Sequence, residues 1–142
     1  MQNLDQELRV DNLVTPQDVA SSGTVTTNSS MFRSMAKYRK GLVVVTAYLT
    51  SAKTAVCTLK SASAAAGTSS GTIDTKTCTL TGEAGGTNEV GTIEFDVNDL
   101  IANDEDEHFV GVQIVTNQDG NDVGAVLIRS AARWYTGSSM PV

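Results

Sequence analysis

The sequence predicts an all-β domain, an antiparallel β-sandwich or jelly-roll-like barrel with an extended N-terminal arm. Three observations predict it. About seven or eight short apolar or alternating runs recur along the chain with turn residues between them. Thr, Ser, Ala and Gly are abundant and aromatics make up only 5%, a composition of pleated strands and tight turns with an aliphatic core. No amphipathic helical pattern lasts beyond two turns, and no internal repeat of fixed period appears. The 142 residues suit one domain, divided as an arm over 1–20 and a sandwich over 21–142.

The elements follow in order. Residues 1–20 hold Leu4, Leu8, Val10, Leu13 and Val14 at spacings that fit neither the helical nor the strand period, and Pro16 restricts helix beyond Thr15. They read as an arm or a capping segment that orders on docking. Deleting them is expected to leave a folded domain. Residues 23–27 (GTVTT) read as a first strand, and 31–40 (MFRSMAKYRK) as a helical turn or irregular segment. Residues 42–49 (LVVVTAYL) are the strongest strand. They are apolar on nearly both faces, which is the pattern of a central strand buried on two sides. A turn near Lys53 and a strand over 54–60 make an expected hairpin with it.

Residues 61–71 (SASAAAGTSSG) form a small-residue loop, 76–81 a short strand and 82–87 a turn. Residues 90–97 (VGTIEFDV) alternate cleanly, Ile93, Phe95 and Val97 on one face and Glu94 and Asp96 on the other. A polar connection over 99–107 leads to a strand over 109–115, with Val110, Val112 and Ile114 inward. Asp119–Gly120 then reads as a hairpin turn returning the chain into a partner strand over 123–129.

Charge bounds the function. The net charge of −6 argues against nucleic acid or an anionic membrane as partner. The chain opens with no apolar h-region and holds no run approaching the roughly 20 apolar residues of a membrane span. Synthesis in the cytoplasm, without export by the usual route, is the expectation. Arg33, Lys37, Arg39 and Lys40 form a basic cluster, and Asp99 and Asp104 to Glu107 an acidic stretch. These are either two solvated patches or complementary contact surfaces.

Catalytic patterns are few. His108 is the one histidine, with no nucleophile elbow or papain-like cysteine motif to accompany it. The neighbouring carboxylates of 104–107 lie in one loop, whereas a glycosidase sets two across a cleft. Asn117, Asp119 and Asn121 start like a calcium loop, but Asp122 and Ile128 stand where Gly and an acidic ligand are required. No phosphate-binding glycine motif is present. Cys57 and Cys78 occupy similar mid-strand settings (AVCTL and KTCTL). They are either free buried thiols or a disulfide pinning adjacent strands, for which the Cα atoms must lie within about 7 Å. One His and two Cys are too few for a zinc site of four ligands. The reading is therefore no enzyme, no cofactor and no metal.

The stretch over 31–62, MFRSMAKYRKGLVVVTAYLTSAKTAVCTLKSA, resembles a motif of small virion proteins of tailed bacteriophages, in which an aromatic residue with basic neighbours leads into an apolar strand. Tyr38, Arg39 and Lys40 occupy that place here. The later run of VGTIEFDVNDL, HFVGVQIVT and an ending of Ala132, Arg133, Trp134 and Tyr135 is similar in outline, so the resemblance covers roughly residues 23–136. It implies a head decoration or stabilisation ("cement") protein: β-rich, homotrimeric, bound to the major capsid protein on the outer surface of the virion. The two cysteines and the acidic loop depart from that pattern. The interface residues expected on this reading are Leu4, Leu8 and Leu13 of the arm, Arg33, Lys37, Arg39 and Lys40 of the basic cluster, and the Trp134–Tyr135 pair. Alternatives are another virion component, such as a head–tail connector, tail protein or head-fibre base, and a carbohydrate-binding or adhesion module.

Overall fold

The apolar run predicted to be central is central. In the computed structural model, which describes residues 8–19, 23–27, 31–102, 107–117 and 121–132, it becomes β4 (Tyr38–Leu49). The remaining elements are β1 (Arg9–Val19), β2 (Thr24–Thr26), β3 (Arg33–Ser34), β5 (Thr54–Ala62), β6 (Gly71–Thr81), β7 (Thr87–Asp96), a short helix α1 (Val97–Ile101), β8 (Phe109–Thr116) and β9 (Asn121–Ala132). Sheet A runs β1-β9-β4-β7, and sheet B runs β2-β8-β5-β6 with β3 also on β8. The predicted all-β sandwich is therefore present, with jelly-roll connectivity. Among the described strands only β5 and β6 are consecutive in sequence and paired with each other. Every other connection, apart from β2 to β3, passes from one sheet to the other.

Two expected hairpins are corrected by this topology. β4 and β5 lie in different sheets, joined by a turn whose Ala52 takes a φ of 62°. β8 and β9 also lie in different sheets. The Asp119–Gly120 turn sits outside the described residues, but the strands it joins do not pair: β9 pairs with β1 and β4. A turn signal is local, whereas β4 and β9 each require a neighbour on both edges, and non-local pairing supplies it.

The N-terminal segment is the larger correction. Residues 1–7 lie outside the described part, yet Arg9–Val19, read as arm, is an edge strand of sheet A in register with β9 from Arg9↔Arg129 to Val19↔Asn121. Its register shifts between Asn12 and Val14 and again between Val14 and Gln17. These bulges turn both Leu13 and Val14 inward, and Val19 after them. Pro16 is tolerated because β1 is an edge strand. Other boundaries move less. Tyr38, Arg39 and Lys40 belong to β4, and residues 97–101, from the end of the strand expected over 90–97 into the polar connection, wind into α1. Asp96 caps α1, its carboxylate accepting from the Asn98 N–H at 2.9 Å, while the Asp99 carboxylate accepts from the Asp96 N–H at 2.7 Å.

The core lies between the sheets. Sheet A contributes Val43, Val45, Ala47 and Leu49 of β4, Ile93 and Phe95 of β7 and Val123, Ala125 and Leu127 of β9. Sheet B contributes Ala55, Cys57 and Leu59 of β5 and Val110, Val112 and Ile114 of β8. The inward set predicted for β7 and β8 is the one observed. Gly41 stands opposite Phe95, and a Cβ there would collide with the Phe95 ring, so the glycine is what lets the ring lie across β4.

Candidate interaction surface

Alternation in β4 places Leu42, Val44, Thr46 and Tyr48 on the outside of sheet A. Cross-strand register extends this into rows. Val10, Ile128 and Leu42 form one, followed across β4 by Glu94. Asn12, Val126, Val44 and Thr92 form the next. Leu42, Val44, Val126 and Ile128 are partly exposed, while Val10 and Val90 are each 63% exposed. Among the described residues, the strand expected to be buried on both faces is fully covered on one only. Two recesses touch the same face. One of about 410 Å³ is lined by Lys40, Leu42, Lys76, Glu94 and Asp99 among others. The second, of about 360 Å³, is lined by Pro16, Tyr48, Asn88, Val90 and Asp122 among others.

A basic cluster gathers at the Arg9–Arg129 end of sheet A. Arg9 and Arg129 are direct cross-strand partners, an unfavourable pairing of like charges. Asp11 offsets it, accepting from Arg129 Nη2 at 2.5 Å and lying 3.7 Å from Arg9 Nε and 3.9 Å from Arg33 Nε. Arg129 also donates to the Ser34 carbonyl at 2.5 Å, and its guanidinium stands 4.7 Å from the Tyr38 ring centroid. Three guanidinium groups thus share one carboxylate. Arg129 is buried, and the Nε atoms of Arg33 and Arg129 are buried with no hydrogen-bond partner among the described residues.

The predicted site residues divide accordingly. Arg33 joins the Asp11 cluster, while Lys37, Arg39 and Lys40 are exposed beside it. Leu13 is 0% exposed and belongs to the core, so it is not available to a partner in this fold. Leu8 is half-buried at the foot of β1. Leu4, Trp134 and Tyr135 lie outside the described residues. Sequence reasoning missed Arg9, Asp11 and Arg129, which stand far apart in the chain and meet only through the β1–β9 register. It also missed the outer row of Val10, Leu42 and Ile128, whose one signal was the two-faced apolarity of β4.

The acidic stretch is not a single solvated patch. Glu107 is buried and accepts a hydrogen bond from the Ser61 hydroxyl. Asp99 caps α1 and pairs with Lys76 at 3.0 Å. Partial burial pulls the Asp99 carboxyl upward, but the Asp96 N–H and Lys76 outweigh it and hold it below the usual carboxylate value. Asp104 to Asp106 lie outside the described residues. His108 precedes β8 with its Nδ1 buried and without a hydrogen-bond partner among the described residues. Among the described residues no three His, Cys, Asp or Glu side chains are grouped to hold a metal ion, and no helix is long and apolar enough to cross a membrane.

No protein-family model and no curated protein matches the sequence. Solved structures do resemble the fold. A structure of infectious bursal disease virus, Gx strain, aligns over 94% of this chain and 33% of its own, with TM-score 0.56 and 12% identity. The VP2 subviral particle of the same virus aligns over 88% of this chain and 32% of its own, with TM-score 0.54 and 12% identity. The PBSX exported protein XepA aligns over 94% of this chain and 42% of its own, with TM-score 0.53 and 8% identity. The chain spans about a third to two-fifths of the length of these proteins. At such identities the likeness concerns architecture alone: the two-sheet antiparallel β fold is shared with these proteins.

Proposed function

We propose that this chain is a virion structural protein that binds the outside of a capsid shell and stabilises it, as a decoration or cement protein, and that it assembles as a homotrimer. One observation carries the reading: β4 and β9 have the two-faced apolar composition of buried strands, yet the described residues leave Leu42, Val44, Val126 and Ile128 on their outer face partly exposed. A second layer is needed to complete the burial. In a cyclic oligomer one such patch serves every subunit. The basic end of sheet A, with Lys37, Arg39 and Lys40 beside the Arg33–Asp11–Arg129 cluster, suits an acidic patch on the shell. Adhesion of this kind needs no catalytic step. Many weak contacts repeated over a lattice gain from high effective concentration. The likeness of its fold to structures of infectious bursal disease virus supports the reading.

Light scattering of the purified protein followed by co-sedimentation with assembled capsids tests it. A trimer that pellets with shells is expected. A chain that stays monomeric and remains in the supernatant contradicts it.

A further inference from the structure

Cys57 of β5 and Cys78 of β6 stand directly opposite each other, between the pairs Val56↔Thr79 and Thr58↔Thr77. Directly opposed residues of an antiparallel pair share a face and hold their Cα atoms about 4.5 or 5.5 Å apart. Either spacing lies within the roughly 4.4–6.8 Å that a disulfide spans. Access to the two thiols differs, since Cys57 is buried in the core and Cys78 is half-buried. Space for the outer sulfur is provided from the opposite sheet. A Cβ at Gly91 of β7 would collide with Cys78 Sγ. The strand that carries Cys78 is the edge of sheet B and, among the described strands, pairs only with β5. Its register with β5 shifts one residue beyond the cysteine pair, between Thr58 and Leu59.

We propose that Cys57 and Cys78 are a redox-modification site, a dithiol that closes to a cross-strand disulfide by exchange with a small-molecule disulfide of the glutathione type. The Cys78 thiolate attacks one sulfur of oxidised glutathione and expels a glutathione thiolate, leaving a mixed disulfide on Cys78. Cys57 then attacks the Cys78 sulfur, its proton passing to the sulfur of the second glutathione, which leaves as thiol. The protein gives up two electrons and two protons, and one oxidised glutathione becomes two thiols. The order follows from access. Burial, reinforced by Cys78 alongside, pushes the Cys57 thiol up to about 12, so it stays protonated at neutral pH and does not begin the exchange. The bond pins the β6 edge and forbids a register slip at the neighbouring bulge. It stays open in a reducing compartment and closes in an oxidising one. This site stands on the strand pairing and is independent of the virion reading.

The test is to incubate the full chain with oxidised glutathione, block remaining thiols by alkylation, map the peptides by mass spectrometry and record thermal melts. The expected product is an intramolecular Cys57–Cys78 peptide, with a melting midpoint raised by roughly 5–10 °C and restored by dithiothreitol. Cys57→Ser should trap glutathione on Cys78, and Cys78→Ser should leave Cys57 unmodified in the folded protein. Disulfides between chains, glutathione held on wild-type Cys78 with Cys57 still free, or a linked peptide with an unchanged midpoint would overturn the proposal. The wild-type reaction decides it even if a serine variant fails to fold.

Discussion

The two sheets bury similar aliphatic inner faces and turn different outer faces to their surroundings. Sheet A presents Val10, Leu42, Val44, Val126 and Ile128, with Val90 and Tyr48 beyond them. Sheet B presents Thr54 and Thr58 of β5, Thr77, Thr79 and Thr81 of β6 and Thr24 and Thr26 of β2, interrupted by Val56, Gln113 and Val115. Valine and threonine have nearly the same shape and both favour strands. Choosing between them therefore changes little in the sheet itself. It decides whether the outer surface offers methyl groups or hydroxyls. A threonine face is at ease in water, and an aliphatic face of several adjacent residues is built to be covered.

The comparison can be broken most severely at the edge of sheet A. Removing residues 1–20 takes away β1 and uncovers β9, so the truncated chain should lose its cooperative urea transition altogether. A truncated chain that unfolds with unchanged midpoint would return this segment to the status of an arm. Next in size is Asp11→Ala, which leaves the buried Arg129 and its neighbour Arg33 without their carboxylate. A loss of about 3–5 kcal/mol in urea denaturation is expected.

Exchanging the two surfaces is a gentler change to the fold and a sharper one to the assembly. Val44→Thr with Ile128→Thr should alter folding stability by no more than about 1 kcal/mol. It should weaken self-association or shell binding at least tenfold, measured by sedimentation. Thr58→Val with Thr77→Val on sheet B should leave both quantities nearly unchanged.

The smallest effect concerns Asp99. Because its folded value lies below the ordinary 3.8, the stability it contributes is complete above that value and is lost as the pH falls below it. Asp99→Asn should flatten the acid limb of the stability profile by under about 1 kcal/mol, discounted for partial exposure. Melts between pH 2 and 7 check this.

Much of the strand content was legible because burial on one face leaves a period of two. Ile93 and Phe95 in β7, and Val110, Val112 and Ile114 in β8, follow it without interruption and were assigned the correct side. β1 escaped for the same physical reason in reverse. Its two register shifts put Leu13 and Val14 inward together and leave four exposed residues before Val19, so no period survives in the sequence. Pairing was less legible than strand content. The turns after β4 and β8 announce a reversal of direction, and a chain that reverses can return to either sheet. The Asp11–Arg129 contact depends wholly on that pairing, which is why the basic cluster was read from Arg33 to Lys40 alone. The outer face of sheet A was half visible: the two-faced apolarity of residues 42–49 reads as a central strand buried on both sides, whereas the described residues leave its outer side partly exposed.

The most direct test of the adhesion account is the sedimentation behaviour of a chain carrying Val44→Glu and Ile128→Glu, compared with wild type. A folded β-rich monomer that no longer associates with its own copies or with shells is expected, beside a wild type that does both. Unchanged association of the doubly charged variant, with its fold intact by circular dichroism, would contradict it.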